Sequence, residues 1–124
     1  MQGTYDSDKR RLLSLICHGC TLAGISGVTI AAPIVILFIS DDPVVKSNAK
    51  ESINFHLNIW FWASVIGGIY AVLSFLTFGL LGILLFPLIA FGFLWHFGWS
   101  IVAILKTLAN PDEAFRYPFI LHIF

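Results

Sequence analysis

The stretch Asp41 to Trp62, DDPVVKSNAKESINFHLNIWFW, decides how the chain is read. Asp42 has the short acceptor side chain of a helix N-cap, and Pro43 suits the first helical position, where a missing N–H costs nothing. Nothing after Val44 breaks a helix before Gly67 and Gly68. On such a helix Glu51, Asn54 and Asn58 fall at i, i+3 and i+7 and share a face, with Lys46 and Lys50 flanking it. The spacing predicts a rod that starts at headgroup level, carries a polar stripe of Lys50, Glu51, Asn54 and Asn58, and then enters apolar surroundings. Amides and carboxylates drawn toward lipid need hydrogen-bonding partners. The rest of the chain is therefore expected to cover that stripe.

Composition names the solvent. The 124 residues are 58% hydrophobic and only 11% charged, with mean hydropathy +0.89. Soluble domains carry about 25% charged residues, so a bilayer is the expected partner. The length suits a single membrane domain over residues 1–124. Seven Lys and Arg balance seven Asp and Glu. The one basic run, Lys9-Arg10-Arg11, is too small for a nucleic-acid footprint.

Residues 1–8 are polar and read as a flexible N-terminus. Leu12 to Ile39 is an apolar block that would measure about 42 Å as one helix, against a hydrocarbon core of about 30 Å. Gly24, Ser26 and Gly27 offer a turn and Thr29 a cap. Gly19, Ala23, Gly27 and Ala31, spaced by four, instead favour one continuous close-packed helix. Pro33 kinks either version. Charge placement decides between them. A hairpin puts every Lys and Arg on one side of the membrane and leaves the turns near Gly27 and Gly79 uncharged on the other.

The expected architecture is an all-α integral membrane bundle of four helical passes, the first two short and forming a hairpin. The helix from Pro43 has an amphipathic start and runs to about Thr77, with Trp60 and Trp62 at the interface. Ala63, Gly67 and Ala71 are its expected helix contact. Thr77-Phe78-Gly79 with Gly82 is the next turn. A third apolar run covers Leu80 to Leu105, is interrupted by Pro87, and stops at Lys106, Asn110 and Pro111. The tail, residues 112–124, is too short to span and reads as an interfacial aromatic segment. Both termini fall on the cytoplasmic or stromal side of a bacterial inner membrane or thylakoid.

Candidate chemistry is sparse. Cys17 and Cys20 stand in CHGC, which lacks the following histidine of a haem attachment motif and the four ligands of a zinc site. They read as small residues at a helix contact. His18, His56, His96 and His122 lie on separate segments, and His56 and His96 are read at different depths, which disfavours a haem between them. Ser14, Ser64, Ser74 and Ser100 have no dyad context. The aromatic run Phe91 to Trp99 fits a pigment or quinone less simply than lipid and packing. Glu51 is expected to pair with Arg116, tying the tail to the long helix, and Asn54 and Asn58 to bond across helices. The reading is a non-enzymatic protein with no cofactor and no metal.

Two local patterns carry a family resemblance. Ala49-Lys50-Glu51-Ser52-Ile53-Asn54-Phe55, just after the Asp-Asp-Pro turn, and Arg116-Tyr117-Pro118-Phe119 near the C-terminus resemble a bacterial, cyanobacterial-type family. That family is similar to the twenty-kilodalton subunit of the chloroplast inner-envelope translocon. The resemblance covers nearly the whole chain. It implies a small four-helical membrane protein and a component of a protein translocation or conduction assembly. The alternative is an accessory or assembly subunit of a larger membrane complex, including a photosynthetic one. The partners expected are the lipid bilayer and either further copies of the chain or other membrane proteins.

Overall fold

The computed structural model describes residues 5–23 and 27–124. Among these residues four helices follow in order: α1, Ser7–Ala23; α2, Gly27–Ile39; α3, Pro43–Leu76; and α4, Leu80–Ala109. The apolar block is thus two helices. Gly24 and Ser26, read as part of its turn, lie outside the described residues, as do residues 1–4. Ser7 and Asp8, read as part of a flexible end, already belong to the first turn of α1. Gly27 opens α2, so Thr29 is inside that helix and is not its cap; its hydroxyl lies 3.1 Å from His56 Nε2.

The start of α3 follows its sequence closely. Asp42 is its N-cap, accepting from the Val44 N–H at 2.9 Å, and Pro43 takes the first helical position. The helix ends at Leu76, where Phe78 (φ 52°) and Gly79 (φ 88°) turn the chain through left-handed backbone into α4. Glycine adopts that geometry freely and phenylalanine does not.

Long-range contacts fix the directions. Arg10, at the start of α1, bonds Asp42 beyond the end of α2. Cys17 and Ser52 join α1 to α3, and Thr21 meets Ser100 of α4. The helices therefore alternate up, down, up, down. α3 and α4 have 34 and 30 residues, about 51 and 45 Å, whereas α1 and α2 have 17 and 13, about 25 and 20 Å. The short pair packs around only one end of the long pair. Beyond it α3 and α4 continue as a bare hairpin.

That division matches the sequence. All fourteen charged residues lie in 6–11, 41–51 and 106–116, at the packed end. None occurs from Ser52 to Leu105, across the hairpin. α3 and α4 are both long and apolar enough to cross a membrane. Close approach within the hairpin does not use the Ala63, Gly67, Ala71 stripe. Ala63 and Ala71 are exposed, and a Cβ on Gly67 would meet nothing within 4 Å. Gly82 is the contact instead: a Cβ there would fall 2.5 Å from Ser74 Oγ, and Tyr70 donates to the Gly82 carbonyl at 2.8 Å. Gly19, from the other small stripe, also faces open space.

Candidate functional site

The polar side chains of α3 do converge, on two adjoining faces. At 100° per residue Asn48, Ser52 and Phe55 point one way, and Glu51, Asn54 and Asn58 point about 90° round from them. All six are buried. Lys50 falls a further step round and is exposed, so it does not belong to the stripe.

The first face meets α1. His18 is fully buried, with Nε2 2.8 Å from Asn48 Oδ1 and Nδ1 2.9 Å from the Tyr117 hydroxyl. The amide oxygen only accepts, so Nε2 carries the proton and Nδ1 takes the Tyr117 hydrogen. Asn48 also donates to Ser14 Oγ at 2.9 Å and accepts the Phe115 N–H at 2.9 Å. Ser52 donates to the Cys17 carbonyl at 2.6 Å. The Thr21 hydroxyl bonds the His18 carbonyl and Ser100 Oγ, and Ser100 donates to the His96 carbonyl. Burial pushes the His18 imidazole down to about 4, against the opposing pull of Asn48. Burial also drives the Tyr117 phenol well above its usual range.

The second face meets the tail, and here backbone groups are the partners. The Tyr117 N–H donates to Glu51 at 2.9 Å, Leu121 to Asn58 at 2.9 Å, and Ile123 and Phe124 both to Asn54 at 3.0 and 3.1 Å. Asn58 returns a bond to the Leu121 carbonyl at 2.8 Å. Glu51 Oε2 lies 3.1 Å from His122 Nε2. The expected pair of Glu51 with Arg116 is not formed. Arg116 is exposed, and Glu51 holds the tail through the Tyr117 amide and His122 instead. Of the motif Arg116-Tyr117-Pro118-Phe119, only Tyr117 enters the core, stacked on Phe55 with ring centroids 4.1 Å apart; Pro118 and Phe119 form a turn. Asn54 and Asn58 bond the tail rather than another helix.

At the charged end Arg10 is buried and bridges Asp42 and Asp112, each at 2.7 Å. Burial opposes the Asp42 carboxylate, but the bonds from Arg10 and the Val44 N–H outweigh it and hold its pKa below the ordinary value. The bond to Asp42 in turn raises that of Arg10.

His18, weighed above only as a metal or haem ligand, organises this centre together with Asn48 and Arg10, which the sequence did not single out. No local signal separates Arg10 from Lys9 and Arg11, and only the fold brings Asp42 to it. The depths read for two histidines also need correction. His96 stacks on Phe55 at 5.3 Å, level with His56. His96 Nε2 donates to the Thr21 carbonyl, and His56 bonds the Ser52 carbonyl and Thr29. Cys17 is buried among Ile36, Val45 and Ala49, Cys20 is half-buried, and both are free thiols. Among the described residues no three His, Cys, Asp or Glu side chains converge as metal ligands would.

A family model for magnetosome magnetite crystal formation proteins matches residues 9–124, which takes in nearly all of α1, the other three helices and the tail. The chain belongs to the magnetosome magnetite crystal formation protein family. This overturns the translocon-like resemblance and, with it, the expectation of protein translocation or conduction. The alternative of an accessory subunit in a larger, including photosynthetic, complex has no support either. The quoted motifs misled because they are mostly fold determinants. Glu51, Asn54, Phe55 and Tyr117 join α3 to the tail, and such positions mark a fold and not a task. Membership of this magnetosome family, with its two apolar helices, associates the chain with a membrane. No curated protein and no solved structure matches it.

Proposed function

We propose that this chain is a non-enzymatic membrane protein that acts in magnetite crystal formation from within the magnetosome membrane. α3 and α4 cross the bilayer as a hairpin. α1, α2 and the tail pack round its base at headgroup level and partly in the near leaflet. This two-crossing arrangement replaces four passes, because about 25 and 20 Å of helix fall short of a core of about 30 Å. The observation that carries the reading is the separation of charge: fourteen charged residues at one end and none across the hairpin.

All seven Lys and Arg lie at that end, which favours a cytoplasmic position for it and for both termini. The opposite surface then receives only the uncharged turn Thr77-Phe78-Gly79. A mineral-templating acidic surface is therefore not what the chain offers across the membrane. Its influence on the crystal runs through the membrane it occupies, and its partner is lipid.

The test uses a magnetite-forming bacterium in which this chain is the only family member produced. Electron micrographs should show crystals of altered size when it is deleted and normal crystals when it is restored. Ile69→Lys with Ile83→Lys, which charges the hairpin, should fail to restore them. Identical crystals with and without the chain would overturn the proposal.

A further inference from the structure

Among the described residues the two most exposed large apolar side chains are Phe78 and Phe119, at 101% and 92%. They are also, among the described residues, the two non-glycine residues with left-handed backbone, at φ 52° and 59°. Phe78 sits in the turn between α3 and α4, and Phe119 follows Pro118 in the turn of the tail. Glycine or asparagine fits such positions with less strain. Water gives neither residue any compensation for a bare aromatic ring.

Their separation is informative. Tyr117 bonds Glu51 and Leu121 bonds Asn58, so Phe119 stands near the level of Phe55, and from there to Phe78 at 1.5 Å per residue is about 35 Å. That exceeds a hydrocarbon core of about 30 Å and falls short of the whole bilayer, about 40–45 Å, so both rings stand at the acyl–headgroup boundaries. The surface between the two levels is the uncharged hairpin.

The tail's backbone points the same way. It is neither helix nor strand, yet five of its N–H groups end on side-chain oxygens of Asn48, Glu51, Asn54 and Asn58. In water those amides need no protein partner. At the edge of the hydrocarbon, where water is scarce, these five bonds lower the cost of placing irregular backbone there. Beside the tail, at the charged end, Lys46, Lys50, Lys106 and Arg116 form no ion pair among the described residues. They suit anionic headgroups just outside the core.

We infer that Phe78 and Phe119 are lipid anchors at opposite boundaries of one bilayer, and that the acceptor side chains of α3 exist to hold the tail in the near boundary. The surface they define fits the acyl–headgroup region of an anionic membrane. This rests on the membrane reading above.

The test is nitroxide labelling of Phe78→Cys, Phe119→Cys and Ile69→Cys, each in a Cys20→Ser background. The full chain is reconstituted in vesicles of phosphatidylethanolamine and phosphatidylglycerol. Accessibility to oxygen is compared with accessibility to a water-soluble nickel chelate. Labels at 78 and 119 should favour oxygen, at shallow depth from opposite sides, and the label at 69 should be deepest. Asn54→Leu with Asn58→Leu should move the label at 119 toward the nickel reagent and leave that at 69 unchanged. A label at 119 that favours nickel in the unaltered stripe, or is shielded from both reagents by protein, overturns the inference. So does a stripe variant that leaves it in place. A label at 69 that favours nickel would instead overturn the membrane reading.

Discussion

Asn48 and His18 share a 2.8 Å hydrogen bond from Nε2 to Oδ1 that joins the first helix to the third. The same Oδ1 accepts the Phe115 N–H, and the amide nitrogen donates to Ser14. One carboxamide therefore ties α1, α3 and the tail. Replacing it orphans His18, Ser14 and a backbone amide in a buried place, where each loss costs about 1–3 kcal/mol. Asn48→Leu is expected to destabilise the fold by about 3 kcal/mol or more, measured by denaturant unfolding in detergent micelles. A loss below about 1 kcal/mol would show that the site relaxes around the change.

His18 gives that centre a pH dependence. Its folded pKa, about 4, lies below its ordinary value of 6.5, because burial disfavours the imidazolium. The unfolded chain then binds more protons between the two values, and stability rises with pH across that window. The contribution is complete above pH 6.5 and is lost as pH falls toward 4. It amounts to about 3 kcal/mol at 1.36 kcal/mol per pH unit. Unfolding followed across this range should show that slope, and His18→Gln should flatten it. An equal slope in the variant would assign the effect to other groups.

Arg10 and its two partners separate a buried from an exposed ion pair. Asp42 is 8% exposed at its side chain and Asp112 51%. Arg10→Met leaves the Asp42 carboxylate buried without its cation, a change that costs about 3–5 kcal/mol for buried pairs. Asp112→Asn removes a half-exposed partner, and surface pairs contribute about 0–1 kcal/mol. Thermal unfolding should rank the two variants in that order. Equal losses would mean that Asp112 is covered in the membrane-bound protein.

The long helix was legible because its signals are local. An N-cap, a proline at the first position and a left-handed turn each act within a few residues, and the structure places α3 at Pro43–Leu76 accordingly. Burial of Glu51, Asn54 and Asn58 followed from a 3.6-residue period. What covers them did not follow. Their partners are backbone amides of a segment with no period of its own, some 65 residues away. Arg10 was equally opaque, since nothing local distinguishes it from Lys9 and Arg11; only the fold brings Asp42 to it. The motifs that suggested another family lie at α3 and the tail, where packing constrains the residues and function need not.

Arg116 provides a direct check on how the tail is held. The side chain is exposed and forms no ion pair among the described residues. Arg116→Glu should therefore change folding stability by less than about 0.5 kcal/mol. Glu51→Gln keeps an acceptor for the Tyr117 N–H and should be milder than Glu51→Leu, which keeps none. Thermal unfolding of the three variants would order them. A large loss from Arg116→Glu, recovered by Glu51→Arg, would restore the ion-pair reading.

Gly82 sets the spacing of the hairpin. A Cβ there would stand 2.5 Å from Ser74 Oγ and 3.2 Å from Ser74 Cβ, so the hydroxyl must rotate and the helices must part slightly. Overpacking of this kind costs about 1–3 kcal/mol, and Gly82→Ala should fall in that range. Adding Ser74→Ala removes the nearer atom and should recover part of the loss. Gly67→Ala, with nothing within 4 Å, should cost nothing and gain slightly from higher helix propensity. Fluorescence energy transfer between labels on α3 and α4 should report a wider hairpin for Gly82→Ala alone. If Gly67→Ala were the damaging change instead, the face carrying Gly67 would be in contact with something besides lipid, and the bare-hairpin description would need a protein neighbour there.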